Sequence, residues 1–335
     1  MMAGGAGRRG SVTIDAPARV HLGMLDLGGS LGRHFGGIGV GVRPPEVRLT
    51  ASRANDLIVV ADGVQVGASP TIDEARSAVA HAVDRVLRHY RITERAHVRL
   101  HEVLPAHQGL GSGTQVALAA ARAVAHLYGL PCDALSLATV LGRARRSAIG
   151  TYVFDHGGFI VEGGRQPDVD RPAPLLARLS VPDAWRCVLA LPHGHQGLSG
   201  EAEAAAFATL PTPPVHEAER VAHLVLMALL PALAEGDLGG FGDALSEIQA
   251  INGRWFSAAQ GGAYARGASA AIVECLTAWG ATGVGQSSWG PAVYAIVPDA
   301  DASAALVRRL ATRFPSAVVF DAEFSQDGAR LEVTR

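Results

Sequence analysis

Pro105-Ala-His-Gln-Gly109-Leu-Gly111-Ser112-Gly113-Thr114-Gln115 follows a stretch, His97 to Leu104, that alternates apolar and polar residues as a strand does. Directly after it comes an Ala-rich segment that reads as a helix to about His126. Strand, glycine turn, helix is an anion-binding arrangement. Glycines let the backbone turn so that its N–H groups point outward, and the helix N-terminus carries partial positive charge. The hydroxyls of Ser112 and Thr114 can donate to a phosphate or touch its metal ion. An ordinary tight turn with Thr114 as N-cap fits the same residues. The glycine spacing is G-x-G-x-G, with no acid on a following strand, which departs from the dinucleotide fingerprint.

The whole chain has 335 residues, 48% of them hydrophobic and 18% charged, which suggests two domains with a sizeable core. A net charge of −2 argues against a nucleic-acid binder. All 29 basic residues are Arg. A Lys-dependent phosphate loop and Schiff-base chemistry are thereby excluded. Cys132, Cys187 and Cys275 are odd in number and far apart, so a disulfide framework or zinc site is not expected and a reducing cytoplasm is. Met1 to Gly10 reads as a frayed tail without an apolar leader. The longest apolar stretch, Val221 to Ala234, is too short to span a membrane.

Outward from the glycine turn, Ser11 to Leu27 reads as one or two strands broken at Pro17, and Ile72 to Tyr90 as an amphipathic helix. A helix is expected at about Asp133 to Arg146, then Gly-rich strands around Phe159 to Glu162. Arg165 to Pro174, with three prolines, reads as a linker between a domain over 1–170 and another over 175–335. Beyond it, a strand at Trp185 to Leu191 precedes helices at about 200–210, 215–234, 238–251 and 257–279. A Gly-rich strand region, Gly283 to Val297, a helix from Asp301 to Phe314 and strands near 317–323 and 331 close the chain. The class is α+β with mixed sheets.

The glycine segment resembles the second motif of the GHMP kinase superfamily, and two further segments resemble its first and third: Ala16-Pro-Ala-Arg19-Val-His21-Leu-Gly23 and Gly283-Val-Gly285-Gln286-Ser287-Ser288-Trp289-Gly290. The resemblance implies a two-domain fold, a ribosomal-S5-like α/β half followed by a ferredoxin-like α+β half. Within the superfamily the chain resembles a non-kinase branch, the β-ribofuranosylaminobenzene 5′-phosphate synthases. The segments that carry this are Arg19 to Leu27, Gly109 to Gln115, Phe154 to Phe159, Gly197 to Glu201, Gln260 to Tyr264 and Gly285 to Pro291.

That branch implies a first step of methanopterin assembly. Phosphoribosyl pyrophosphate and 4-aminobenzoate would give the C-riboside phosphate, carbon dioxide and pyrophosphate, with Mg²⁺ expected beside the pyrophosphate and a homodimer as the family's usual state. 4-Hydroxybenzoate would serve the same chemistry. An ATP-dependent small-molecule kinase is the alternative. Expected phosphate ligands are Gly109, Leu110, Gly111, Ser112, Gly113, Thr114, Gln115 and Arg19; expected substrate ligands are His21, Gln260, Gln286, Ser287, Ser288 and Trp289. Asp155, with His156 to orient it, and Asp26 are the expected catalytic side chains, although Asp155-His-Gly-Gly158 also reads as a solvated turn. As an acid near the sugar C1, Asp155 would cost roughly 10²–10⁴ in turnover on change to Asn. His193 and His195 flank Gly194 in what reads as a loop, no metal ligand set is evident, and Ser199, Glu201 and Glu203 read as a helix start.

Overall fold

Alternate residues of the first strand, Val12, Ile14, Ala16, Ala18, Val20, Leu22 and Met24, are all buried, so one face of β1 (Ser11–Asp26) builds the core along its full length. The computed structural model describes residues 10–61, 70–194, 196–198 and 200–334. Pro17 does not break β1; the register shifts between Pro17 and Ala18, and the irregularity absorbs the missing donor. β2 (Phe35–Ala54) returns antiparallel beside it, from Asp26↔Phe35 to Ser11↔Ser52. β3 (Ile58–Val60) pairs in parallel with β4 (Arg95–Glu102), and β4 pairs with β2. Two helices follow from the expected patterns: α1 (Pro70–His89) and α2 (Ser112–Leu127). Buried alanines, among them Ala117, Ala119, Ala120 and Ala123, let α2 lie close against β1 and β2.

The expected helix from 133 to 146 is a shorter one, α3 (Ala134–Val140), capped by the Asp133 carboxylate on the Ser136 N–H. Gly142, at φ 65°, turns the chain out of it. A second helix, α4 (Ile149–His156), then begins where the Ala148 N–H donates to the buried Glu162 carboxylate at 2.6 Å. That anchor lies 14 residues downstream, on β5 (Phe159–Glu162), so no local pattern marks the helix start. After the proline-rich segment, β6 (Leu175–Leu179) pairs with β5 and returns the chain to the first half's sheet.

The second half runs β7 (Arg186–Leu191), α5 (Gly200–Thr209), α6 (Val215–Leu224), a π-helical turn (Val225–Leu229), α7 (Leu230–Glu235), α8 (Leu238–Gln260) and α9 (Ala268–Ala278). β8 (Thr282–Gln286), β9 (Val293–Val297), α10 (Ala300–Arg313), β10 (Val318–Phe324) and β11 (Arg330–Thr334) follow. Its strands lie in the order β10-β7-β9-β8, the split βαβ order of a ferredoxin-like half. α8 runs past the expected end at 251 to Gln260, where Gly261 at φ 80° caps it. The two halves share one sheet through Glu323↔Arg43 and Phe324↔Val42, and β11 pairs with β1. Among the described residues no helix is long and apolar enough to cross a membrane.

Candidate active site

The glycine turn meets α2 end-on. Gly109 and Gly111 both have left-handed backbones, at φ 79° and 72°, and Gly111 occupies the N-cap position with no side chain to satisfy the helix end. Thr114 is therefore not the cap; its N–H and that of Gln115 donate to the Gly111 carbonyl. The Ser112 and Gly113 amides have no backbone partner among the described residues, and no acid sits in the first turn. Free amides at the end of a 16-residue helix make a positive pole. They face a cavity of about 370 Å³ lined also by Thr114, Arg19, Arg143 and Glu203.

Contacts among the three sequence motifs hold this turn in place. A Cβ on Gly109 would fall 2.2 Å from the Ser287 carbonyl oxygen, so only glycine fits there. The Ser287 hydroxyl donates to the Gly109 carbonyl at 2.6 Å and accepts from the His21 N–H at 2.9 Å. From β1, the Arg19 N–H donates to the Leu110 carbonyl at 3.0 Å and its Nη1 to the Gly109 carbonyl at 3.2 Å. The Arg19 Nε is buried with no partner among the described residues. Burial lowers the pKa of its guanidinium, against which Glu203 and Glu162 act as counter-charges.

Arg19, Thr114, Arg143, Glu203 and Ser288 also line a second cavity, of about 250 Å³. Its apolar wall is a cluster of rings: Trp289 lies 4.9 Å from Phe256 and 5.2 Å from Phe207, and Phe207 lies 5.4 Å from Phe35. Arg146 covers the Phe207 ring and pairs with Glu203 at 2.6 Å. Glu203 is the one carboxylate lining this cavity among the described residues. His21, buried in the wall, is driven down to a pKa of about 3, first by desolvation and then by Arg19, so its imidazole is neutral.

The structure brings Arg19, His21, Gly109, Gly111, Ser112, Gly113, Thr114, Gln260, Gln286, Ser288 and Trp289 to these two joined cavities. Ser287 acts from behind as the clamp on Gly109. Leu110 and Gln115 do not face the cavities: Leu110 is in the core, and buried Gln115 donates to the Gly150 carbonyl at 2.8 Å. The three expected catalytic side chains are elsewhere. Asp26 accepts from the Gly29 and Ser30 amides and closes the turn after β1. Asp155 accepts from Arg122, and with His156 it lines an open hollow on a different surface, together with Arg178 and Arg330. The glycines beside it serve packing: a Cβ on Gly157 would strike Asp327, and one on Gly328 would strike the Asp155 carbonyl.

Sequence reasoning missed the other walls. Arg143, Arg145 and Arg146 form a dense basic run in a Lys-free chain, which was signal enough. Glu203 belongs to a helix start but faces both cavities, and Phe35, Phe207 and Phe256 come from three separate segments with no shared pattern. His195 and Ser199, read as loop and helix start, lie outside the described residues, as does the tail before Gly10.

Profiles of the GHMP kinases N terminal domain and GHMP kinases C terminal families match residues 77–159 and 229–316. The chain is 34% identical to the β-ribofuranosylphenol 5′-phosphate synthase of Methanothermobacter thermautotrophicus, over 85% of this chain and 88% of that one. It is 33% identical to the protein of that name from Archaeoglobus fulgidus, over 84% and 87%. This chain belongs to the β-ribofuranosylphenol 5′-phosphate synthase family. Within the GHMP superfamily the synthases are its relatives in sequence. The kinases are its relatives in fold: homoserine kinase from Cytophaga hutchinsonii (TM-score 0.70, 17% identity, 99% and 100% of the chains) and L. major mevalonate kinase with R-mevalonate (0.71, 17%, 94% and 96%). The synthases' name has a phenol where the sequence reading put an aminobenzene, a difference confined to the arene substituent.

Proposed function

We propose that this chain is a decarboxylating ribosyltransferase that joins phosphoribosyl pyrophosphate to a benzoate carrying an electron-pushing para group. The observation that carries this reading is the pair of joined cavities, one faced by helix amides and the other walled by rings, with Arg19 common to both. The diphosphate would lie on the Ser112 and Gly113 amides and the Arg19 guanidinium, the arene among Phe207, Phe256 and Trp289.

The chemistry balances without an added proton or oxidant. The C1–oxygen bond to diphosphate breaks, and the ring carbon bearing the carboxylate forms a bond to C1. The ring–carboxylate bond then breaks, its electron pair restoring the aromatic ring as carbon dioxide leaves. The chain's part is to bind, orient and stabilise the departing negative charge. The attacking carbon is already electron-rich, so no base is required. That suits a second cavity whose single lining carboxylate among the described residues, Glu203, is tied to Arg146, and it weighs against phosphoryl transfer to an alcohol. 4-Aminobenzoate is the acceptor of the sequence reading; 4-hydroxybenzoate is the one the relatives' name points to.

Magnesium enters this reading as part of the diphosphate complex. Among the described residues no cluster of three or more His, Cys, Asp or Glu is poised for a metal. The Ser112, Thr114 and Ser288 hydroxyls and the Glu74 and Glu203 carboxylates, the latter two paired with His107 and Arg146, line the diphosphate cavity, which suits an ion that keeps water and phosphate as its main ligands.

The test mixes purified protein, Mg²⁺, phosphoribosyl pyrophosphate and a carboxyl-labelled benzoate without nucleotide. Release of labelled carbon dioxide is the expected result. No label released, with ADP formed from ATP and a small alcohol, would sink the reading and favour the kinase.

A further inference from the structure

Most polar side chains facing the aromatic cavity are already occupied. Asn252 accepts from the Met24 N–H and donates to its carbonyl, Gln249 donates to the Leu22 carbonyl at 2.6 Å, and Gln286 accepts from the Ala265 N–H at 2.7 Å. Of the side chains that can accept a hydrogen bond and line this cavity alone, two are not: the His21 imidazole and the Tyr264 hydroxyl have no hydrogen-bond partner among the described residues. Of the two, His21 is the more constrained. It is only 9% exposed, and its backbone is fixed to Ser287. Opposite it, Gly37 leaves the ring its room: a Cβ there would sit 3.2 Å from the His21 Nε2. A ring nitrogen that faces the cavity without a protein partner takes one from water or from a ligand.

Its position supplies a direction. Arg19 and His21 lie two residues apart on one face of β1, a step of roughly 6.6 Å. Arg19 marks the boundary with the diphosphate cavity, so His21 lies one step further into the ring-walled one. A neutral imidazole has one nitrogen that accepts a hydrogen bond and one that donates.

Resting on the ribosyl-transfer reading, we propose that the His21 imidazole accepts a hydrogen bond from the para O–H or N–H of the acceptor and thereby sets which arenes this cavity takes. As the ring carbon attacks C1, positive charge spreads to the para heteroatom and its hydrogen becomes more acidic. The bond to His21 strengthens in the transition state, where it accelerates the reaction. An arene without that hydrogen leaves the imidazole buried and unpaired.

The experiment compares calorimetric Kd values of 4-hydroxybenzoate and 4-fluorobenzoate, close in shape but only one a donor, on the full chain with Mg²⁺ and inorganic diphosphate. The wild type should prefer the hydroxyl compound roughly tenfold, and His21→Leu should bring the two within about twofold. Equal affinities in the wild type overturn the proposal, and so does a preference that survives His21→Leu. If His21→Leu does not fold, the wild-type pair and Tyr264→Phe decide: a preference retained in Tyr264→Phe supports His21, and one lost there transfers the role to Tyr264 and overturns it. Carbon dioxide release is read separately. Its absence with the tenfold preference intact would sink the ribosyl-transfer reading and leave the His21 hydrogen bond standing.

Discussion

Two glycine-rich segments stand out in the chain, 109–114 and 155–158, and the fold uses them in opposite ways. In the first, glycine takes left-handed backbone and the third motif presses against it from behind, so the amides of Ser112 and Gly113 turn toward open space. In the second, Gly157 and Gly158 admit the backbone between β10 and β11: the Gly158 N–H donates to the Ser325 carbonyl at 2.7 Å and the Ala329 N–H to the Phe154 carbonyl at 2.7 Å. Glycine reports a close approach in both places. Only the surroundings tell whether the chain or a ligand makes that approach.

The difference can be broken or sharpened by substitution. The largest effect should come from Gly109→Ala, whose methyl would collide with the Ser287 carbonyl on a left-handed backbone. Destabilisation on the order of 3 kcal/mol or more, with loss of carbon dioxide release, is expected in denaturant titration and the label assay. Arg19→Met keeps the bulk and removes one of the two arginine charges common to both cavities. We expect kcat/KM for the sugar donor to fall by roughly 10²–10³, the scale of a lost transition-state donor; a change under threefold would place the diphosphate elsewhere.

Asp155→Asn should behave in the opposite manner. It weakens the pair with Arg122 that fixes the end of α4, so about 1–2 kcal/mol of stability should be lost while turnover stays within about threefold. A hundredfold drop in turnover with stability intact would restore Asp155 to the mechanism. The smallest effect concerns the start of the same helix. Glu162 is pushed up to a pKa of about 7 by desolvation, from 4.5, so between those values the folded chain holds more protons than the unfolded one. Stability from this group is full below pH 4.5 and is lost as pH rises through 7. Glu162→Gln removes that dependence, and its Tm relative to wild type should rise between pH 5 and pH 8. A flat difference would mean that Glu162 does not titrate there.

Much of the fold was legible. The three motifs, the alternation of β1 and the amphipathic spacing of α1 are local signals, and each matches the structure. The start of α4 was not, since its anchor is the Glu162 side chain on another element. The glycine turn at the first cavity was legible for the same reason as the fold: Gly109 to Thr114 are contiguous and the turn they make is a backbone property. The ring-walled cavity was only partly so. Trp289 lay within a motif, but its ring partners Phe207 and Phe256 meet it only through tertiary packing. The surroundings of Asp155 were not legible, because an acid beside paired glycines looks alike in sequence whether it faces a cavity or, as here, an arginine.

The central claim is that the amides of Ser112 and Gly113, with Arg19, hold the diphosphate of an activated sugar. A crystal structure with phosphoribosyl pyrophosphate and Mg²⁺ bound tests it most directly. The account predicts diphosphate oxygens within hydrogen-bond reach of those two amides and of the Arg19 guanidinium, with the ribose C1 toward the Trp289 wall. Donor density lodged elsewhere, with those amides facing solvent, would contradict it.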